Sequence, residues 1–363
     1  MKVGLVTTGF PRFEGDHSGS FLLTLAQALV ANGHAVRVLA PQPREARAEP
    51  RWPGIEVSWI PYLRPRRWQQ TFYGSGVPDN LRLRPSGWAG ALSFTAALRI
   101  AARRRLADCD ALVSSWCIPS GWAASRVAEG RIHLCICHAT DVRWLLRMPG
   151  SRTLARQIAK GATTMWFLST ADRERFFEAG RLCSTAVPVH VGPMPVEVPP
   201  NMQVERCELR RRLQIDRYTL LFLGRLVPVK GVRDLLFAVA SMPDVSVRVA
   251  GDGPERAALQ ALANQLGVNA VFEGWVAGER KEALLRACDA LVVPSCQTDG
   301  LPTVLFEARA RGLPVVATRA GAIADALQGV ADAVLVSPGD RAALRRAIEA
   351  LRDREKAVEA LRV

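Results

Sequence analysis

Short, continuously apolar runs alternate with helix-like segments along this chain, and no other feature constrains its fold as strongly. Such alternation predicts parallel strands, because helical crossovers cover both faces of a parallel sheet. The stretch from Phe21 to Ala31 is amphipathic, and Asn32 and Gly33 after it are typical of a helix end. In the first half of the chain the strand-like runs are KVGLVTT, AVRVLAP, IEVSWI, DALVSSW, IHLCIC and TTMWFLS.

The pattern stops at a proline-rich stretch and then starts again. Residues 186–201 read AVPVHVGPMPVEVPPN, which has too much proline for a helix and predicts a linker. The strand-like runs beyond it are TLLFLGR, VSVRVAG, AVFEGW, DALVVPS and LPVVAT. The sequence therefore predicts an α/β protein of two Rossmann-like, doubly wound parallel-sheet domains, 1–190 and 191–363, facing each other across a cleft.

The composition is typical of a globular protein. Hydrophobic residues make up 49% of the 363 residues and charged residues 23%, which excludes collagen-like, coiled-coil and disordered chains. No stretch has the ~18 uncharged apolar residues of a transmembrane helix, and no cleavable signal pattern opens the chain, so we expect a cytoplasmic protein. The eight cysteines form no Cys-x-x-Cys pair, which predicts reduced thiols.

A loop with two cations follows the first strand of the second half. TLLFLGRLVPVKG runs from a strand directly into Gly224 and Arg225, and Lys230 and Gly231 close the loop. Ligands of open parallel sheets bind at the carboxyl ends of strands, where an Arg fork and a Lys point charge suit a diphosphate. Two solvated surface cations are an equally good interpretation of this segment alone.

A second segment places two acids around a predicted helix start. In DALVVPSCQTDGLPTVLFEARARGLPVVAT, Pro302 suits the first helical turn. Asp299 and Glu307 would lie about 12 Å apart if the span were fully helical, so they would grip two ends of one long ligand. The backbone amides at the helix start would form an anion site. These amides belong to Gly300, Leu301 and Thr303.

The two segments together resemble the family-4-like retaining glycosyltransferases of the GT-B fold, which use nucleotide-activated sugars. In that family a Gly-Arg-x-x-x-x-Lys-Gly loop binds the donor diphosphate, and an E-x7-E element binds the sugar with its first acid and the ribose with its second. The resemblance implies that Arg225 and Lys230 hold the diphosphate and that Glu307 holds the ribose. Asp299 stands where the family usually has Glu, so its carboxylate keeps the charge but reaches one methylene less far.

The resemblance covers most of the chain. It includes the GDGP turn with Gly253, and the EGWV stretch, where the backbone around Trp275 and Val276 would contact the base. FPRFEGDHSGSF is similar to the family's glycine-rich loop after the first strand, which implies that Gly19 lies near the donor phosphates. His138 matches the histidine of the family's His-Gly-x-Asp motif, which lies beside the sugar. A structural histidine at a strand end is the alternative.

Two patterns raise the question of a metal ion. His133, Cys135 and Cys137 alternate onto one face of a strand, as metal ligands do. No second ligand cluster follows, and buried cysteines commonly pack as small hydrophobes. Residues 108–110 read Asp-Cys-Asp but precede a strand, at the end opposite the predicted cleft, so a solvated turn is expected. We therefore expect no metal site.

These observations predict a retaining, metal-independent glycosyltransferase. It would move a sugar from a nucleotide diphosphate sugar, with UDP or GDP as the nucleotide, to a glycan or lipid-linked acceptor in cell-surface polysaccharide or glycoconjugate synthesis. No separate cofactor is expected, and the predicted catalytic residues are His138, Arg225, Lys230 and Asp299. The alternatives are a nucleotide-sugar epimerase or phosphorylase on the same fold, and a non-catalytic nucleotide-sugar-binding subunit.

Nearly all the excess positive charge lies in the first half of the chain. Residues 1–190 hold 25 Lys and Arg against 13 Asp and Glu, a net charge of +12, whereas the rest of the chain has a net charge of +2. Segments 62–68 and 143–148 interleave Arg with Trp and Leu, which suits an anionic membrane surface better than nucleic acid. We expect peripheral binding at the inner face of the cytoplasmic membrane through Trp68, Trp144 and their Arg neighbours. A solvated basic face is the alternative.

Overall fold

The computed structural model divides the chain into two compact units, Met1–Pro195 and Val196–Val363. Each unit is described by itself. The described residues are 1–13, 16, 18–45, 52–73, 77, 80–81, 86–192, 194, 204–296 and 302–360.

The N-terminal unit is built on a parallel sheet, as the apolar runs predict. Among its described residues the sheet has seven strands in the order β3-β2-β1-β4-β5-β6-β7. The strands are β1 (Lys2–Val6), β2 (Ala35–Pro41), β3 (Ile55–Ile60), β4 (Ala111–Ser115), β5 (Ile132–Cys137), β6 (Thr164–Phe167) and β7 (Val189–Val191). The strand order reverses beside β1, so β1 and β4 flank the topological switch point, where open α/β sheets bind ligands.

Helices cover both faces of this sheet. Along β1, Leu5 packs into one core layer and Val6 into the other, because successive side chains of a strand point to opposite faces. The first helix ends as predicted: the Gly33 amide donates to the Val30 carbonyl at 2.9 Å, and Gly33 has a φ of +78°. The helices are α1 (Ser20–Ala31), α2 (Ser86–Arg105), α3 (Trp122–Ser125), α4 (Thr140–Arg147), α5 (Ser151–Gly161) and α6 (Thr170–Gly180).

The C-terminal unit repeats this architecture. Its described strands form a six-stranded parallel sheet in the order β10-β9-β8-β11-β12-β13. The strands are β8 (Tyr218–Leu223), β9 (Val245–Ala250), β10 (Ala270–Gly274), β11 (Ala290–Val293), β12 (Val315–Thr318) and β13 (Ala333–Val336). The switch point lies between β8 and β11, and one motif segment begins directly after each of these two strands.

Two core layers again lie on the two faces of the sheet. Leu220 and Phe222 pack into one layer and Leu221 into the other. The helices are α7 (Arg206–Arg212), α8 (Val232–Val239), α9 (Arg256–Gln265), α10 (Gly278–Ala287), α11 (Val304–Arg309), α12 (Ile323–Leu327) and α13 (Arg341–Ala360).

The structure departs from the sequence-based expectation at two places. The stretch 186–201 was predicted to be only a linker, but Val189–Val191 pairs with β6 as a parallel edge strand. Prolines flank this strand, and they are tolerated there because an edge strand needs few ladder hydrogen bonds. In the second motif, α11 begins at Val304, so Pro302 precedes the helix instead of lying in its first turn.

Candidate functional site

The N-terminal sheet brings its chemistry-bearing residues to its carboxyl edge. The loop after β1 passes Gly9 and returns to the start of α1 at Gly19. Gly19 has a φ of +74°, and a Cβ at this position would lie 2.5 Å from the Gly9 carbonyl oxygen. Only glycine fits this left-handed, close approach. The backbone conformation of the predicted glycine-rich loop therefore requires glycine at position 19. That Gly19 lies near the donor phosphates stays a prediction.

His138 follows β5 directly, at the carboxyl edge where the sequence placed it. Its Nε2 atom and the Ser115 hydroxyl oxygen are 2.9 Å apart, and its ring contacts Phe21 and Trp116. Burial lowers the pKa of His138 to about 4, because the surrounding protein replaces the water that would solvate an imidazolium. The ring is therefore neutral at pH 7. A neutral imidazole can donate a hydrogen bond to a sugar hydroxyl or accept one from it.

Trp116 lies in a strained backbone conformation beside His138. Its φ of +79° is unusual for a residue with a bulky side chain. The Trp116 amide donates to the Ile136 carbonyl at 2.9 Å, and its own carbonyl accepts from the Gly121 amide at 2.8 Å. These bonds hold the strained turn at the switch point, where such conformations often serve function.

Asp141 is buried behind the His138 loop. Its Oδ1 accepts from the Val142 amide at 2.9 Å, its Oδ2 accepts from the Cys117 amide, and its own amide donates to the His138 carbonyl at 2.9 Å. Burial is the largest influence on this carboxyl and raises its pKa to about 7, although the backbone donors lower it. Asp141 thus fixes the turn that presents His138.

One group of side chains in the described part of the chain could hold a metal ion. The thiols of Cys117 and Cys137 and a carboxylate oxygen of Asp141 lie within 4.8 Å of one another, all buried. Burial raises the pKa of both thiols, so both are protonated at neutral pH. His133 does not join this group, because its Nε2 lies 2.9 Å from the Ser114 hydroxyl and its Nδ1 lies 2.8 Å from the Gly161 carbonyl.

The Asp141→Asn substitution should change how stability depends on pH. Between about pH 4 and 7 the folded parent holds a proton on Asp141 that the unfolded chain, with a pKa of about 3.9, has released. Asp141 therefore makes the parent less stable as pH rises through this window, by up to about 1.4 kcal/mol per pH unit. His138, whose pKa is lowered, acts in the opposite direction in both proteins. Denaturant unfolding of both proteins at pH 4.5 and 7 tests this, and identical pH slopes would contradict it.

In the C-terminal unit, the loop after β8 carries Arg225 and Lys230, as predicted. The loop tightens into a 3-10 turn over Pro228–Lys230, and the Lys230 amide donates to the Val227 carbonyl at 3.0 Å. Both cations are partly exposed at the carboxyl edge of the sheet. Gly224 begins this loop, and a Cβ there would approach Phe222 no closer than 3.5 Å, so sterics alone do not require this glycine.

Gly231 locks the cation loop against the segment after β11. It has a φ of +68°, and a Cβ there would overlap the Pro294 carbonyl oxygen. The Cys296 amide also donates to the Val229 carbonyl at 2.9 Å. The two motif segments, far apart in sequence, therefore touch through backbone at the switch point.

The loops after β9 and β10 join the same edge. The Leu226 amide donates to the Asp252 carbonyl at 2.9 Å, and the Gly251 amide donates to the Gly274 carbonyl at 2.7 Å. Gly253 lies in the turn that follows β9. After β10, Trp275 is 49% exposed while Val276 is buried. The predicted base-contacting backbone thus adjoins the cation loop, and the contact with a base stays a prediction.

Glu307 is buried in α11 and is paired with a residue that the sequence reasoning missed. Lys281 of α10 places its Nζ atom 2.7 Å from Glu307 Oε2. One turn further along the chain, Arg311 pairs with the buried Glu282 of α10 and donates to the Glu307 carbonyl. Two ion pairs therefore fix α11 and the turn after it against α10, and the pair with Lys281 orients the carboxylate of Glu307.

The start of the second motif is described only in part. Asp299, Gly300 and Leu301 lie outside the described residues, so their predicted roles stay predictions. Pro302 is partly buried and Thr303 is exposed next to the start of α11. The structure thus brings Arg225, Lys230 and the end of β11 to one edge. It also shows two supporting residues, Ser115 and Lys281, that no motif spacing could have indicated, because they act through contacts distant in sequence. Asp141, by contrast, occupies the Asp position of the His-Gly-x-Asp motif that His138 matches, although the sequence reasoning gave it no role.

Two family models match the chain. The model described as glycosyl transferase 4-like domain matches residues 18–195, and the model described as glycosyl transferases group 1 matches residues 217–354. The structure of sucrose-phosphate synthase from Thermosynechococcus elongatus is similar over 96% of this chain and 89% of that one, with a TM-score of 0.72 at 19% identity. Anabaena HepE in complex with UDP-glucose is similar over 98% and 91%, with a TM-score of 0.69 at 20% identity.

Curated relatives are similar over nearly the whole chain. A GDP-mannose-dependent α-(1-6)-phosphatidylinositol monomannoside mannosyltransferase of Mycobacterium tuberculosis is 28% identical over 98% of this chain and 91% of its own. The putative teichuronic acid biosynthesis glycosyltransferase TuaC of Bacillus subtilis is 27% identical over 96% and 88%.

The fold and these matches define the class: two parallel-sheet α/β domains of the GT-B type. The chain belongs to the family-4-like glycosyltransferases, and it is a glycosyltransferase. The predicted family and fold are thereby confirmed. Within the described ranges, no helix is both long and apolar enough to cross a membrane.

Proposed function

We propose that this protein is a retaining glycosyltransferase that needs no metal ion and moves a sugar from a UDP- or GDP-sugar to a lipid-linked or glycan acceptor. The observation that carries the proposal is the switch point of the second sheet, where Gly231 packs the Arg225 and Lys230 loop against Pro294. The names of the relatives support the proposed classes of donor and acceptor. The mycobacterial mannosyltransferases are named for GDP-mannose and a phosphatidylinositol glycolipid, and HepE was solved with UDP-glucose.

In this proposal each domain has a separate task. Arg225 and Lys230 stabilise the negative charge that develops on the leaving diphosphate. Electrostatic stabilisation by preorganised groups is usually the largest single contribution to lowering the activation barrier. Glu307 accepts hydrogen bonds from the ribose hydroxyls, and Asp299 contacts the donor sugar. The N-terminal domain presents the acceptor, and His138 donates or accepts a neutral hydrogen bond at the sugar.

The proposal includes peripheral attachment to the inner face of the cytoplasmic membrane. Trp68 is 57% exposed, and Arg64 and Arg67 beside it are exposed too. Arg66 contributes differently, because its guanidinium donates to the Pro43 carbonyl at 2.9 Å and holds the loop. An exposed Trp flanked by Arg suits the interface of an anionic bilayer, where each basic residue contributes about 1 kcal/mol.

A thermal-shift screen tests the donor class. The full chain is heated with UDP, GDP, ADP and their sugar conjugates, each with and without EDTA. A ligand at 100 times its dissociation constant adds about 2.7 kcal/mol to the free energy of unfolding. We expect UDP or GDP, and its sugar conjugate, to raise the Tm equally with and without EDTA. No shift with any nucleotide would contradict the proposal.

Glu307→Gln should weaken the binding of the nucleoside diphosphate and of its sugar conjugate together. The loss of a charged hydrogen-bond acceptor costs about 1.5–3 kcal/mol, or roughly 10- to 100-fold in affinity. For the same reason, the parent should disfavour a 2′-deoxyribose donor. Glu279→Gln on α10 is the matched control, because Glu279 is exposed. Equal binding of ribo and deoxy donors by the parent would refute this role of Glu307.

A further inference from the structure

An apolar cavity lies in the N-terminal domain between α2 and α4. Its volume is about 220 Å³, and four tryptophans line it with aliphatic neighbours. A cavity of about 150 Å³ with an apolar lining already stays dry and takes up a benzene-sized ligand. The tryptophans are Trp88, Trp116, Trp122 and Trp144.

Trp144 faces this cavity. Its ring packs edge-on against Trp88 with centroids 5.5 Å apart, and both rings line the cavity, while its predicted contact with a membrane stays a prediction. Aromatic pairs of this geometry stabilise each other beyond their burial. Trp144 thus forms a wall of the cavity.

One end of the cavity reaches the carboxyl edge of the sheet. Thr8 after β1, Trp116 after β4 and Asp141 at the start of α4 line this end. Asp141 is hydrogen-bonded to the His138 carbonyl, so the cavity ends directly behind the loop that carries His138. A molecule in the cavity would have its polar end at the proposed acceptor site.

The cavity opens at an exposed apolar stripe on α2. Trp88 and Leu92 line the cavity and are 44% and 67% exposed, and Ile100 on the same helix is 55% exposed. With Ala96, these residues recur at every fourth position, so they follow one side of the helix over about 18 Å. Large apolar side chains exposed in a row mark an interaction surface.

Basic residues border the stripe. Arg99 is exposed and places its guanidinium 5.8 Å from the centre of the Trp122 ring. The exposed Arg103 and Arg104 follow on the same helix. The apolar lining and the apolar mouth match a hydrocarbon chain, and the cationic border suits the anionic membrane surface from which that chain would enter. A soluble aromatic ligand would not require the exposed stripe.

We infer that this cavity binds one hydrocarbon chain, acyl or isoprenoid, of a lipid-linked acceptor, and that the chain enters from the membrane past Trp88 and Leu92. The inference rests on the proposed function, because it assigns the tail of the acceptor. It places the reacting head group at the His138 edge of the sheet.

Energy transfer from tryptophan to cis-parinaric acid, a fluorescent fatty acid, tests the inference on the full chain. We expect saturable binding of one fatty acid per chain. Ala91→Phe fills the cavity and should weaken this binding about tenfold or more. Ala89→Phe is the matched control, because Ala89 is exposed on α2 and does not line the cavity. Thr95→Met is a milder filling variant, with thermal unfolding as the check that each variant folds.

Several results would overturn the inference. They are no saturable binding by the parent, equal binding by Ala91→Phe and the parent, or binding of 1-naphthol without binding of the fatty acid. Turnover of GDP-mannose and UDP-glucose is measured on the same samples. Absence of fatty-acid binding by the parent with normal turnover would defeat the inference alone. Binding of the fatty acid without any turnover of either sugar nucleotide would defeat the proposed function alone.

Discussion

Arg225→Ala and Lys230→Ala should each lower the turnover of a nucleotide-sugar donor by about 100-fold while the fold stays intact. Each cation is held at the carboxyl edge of the second sheet by a tight turn that is bonded to neighbouring loops. Removing one preorganised charge contact from a transition state costs about 3 kcal/mol. Initial rates with saturating GDP-mannose or UDP-glucose measure the effect.

Arg233→Ala is the control for these two variants. Arg233 lies only a few residues further along, but it is exposed on α8 and outside the loop. Its removal changes the net charge by the same amount and should leave the rate within about twofold. Near-normal rates in both Arg225→Ala and Lys230→Ala would refute the assignment of the diphosphate site.

Gly231→Ala should destabilise the protein and weaken donor binding. A Cβ at this position overlaps the Pro294 carbonyl oxygen, so the cation loop must move away from the segment after β11. The left-handed backbone adds about 1–2 kcal/mol for any residue with a Cβ. We expect the Tm to fall by several degrees and the affinity for the nucleoside diphosphate to fall by about tenfold or more.

A second glycine separates crowding from backbone strain. Gly267 has a φ of +66°, close to the +68° of Gly231, but a Cβ there would meet nothing within 4 Å. Gly267→Ala should therefore carry only the cost of the left-handed backbone and keep the parent's donor affinity. Equal losses of affinity in the two variants would show that the contact between Gly231 and Pro294 does not position the donor site.

Much of the fold follows from the sequence because its strands are buried on both faces. A run such as the ALVV of DALVVPS is continuously apolar only where helices cover both sides of it, and the structure has this buried strand at Ala290–Val293. β7 was missed because its residues, VHV, are few, lie between prolines and form an edge. Short edge strands are determined by their partner strand more than by their own sequence.

The candidate site divides in the same way. Arg225 and Lys230 could be located because a loop after a parallel strand must emerge at the ligand-binding edge. The pairing of Lys281 with Glu307 depends on how α10 packs against α11, which no local pattern encodes. Trp144 was interpreted from the Arg and Leu residues around it, and its packing against Trp88 could not be predicted because it depends on how α2 meets α4.

Transfer by the intact protein tests the central claim most directly. The full chain is incubated with GDP-mannose or UDP-glucose in EDTA, with and without phosphatidylinositol vesicles or free glycan acceptors. The nucleoside diphosphate and the glycosylated product are quantified, and the anomeric configuration is read by NMR. The account predicts acceptor-dependent release of the nucleoside diphosphate, one sugar transferred per diphosphate, and an α-linked product from an α-linked donor. An inverted product, an epimerised donor without transfer, or donor binding without turnover would contradict it.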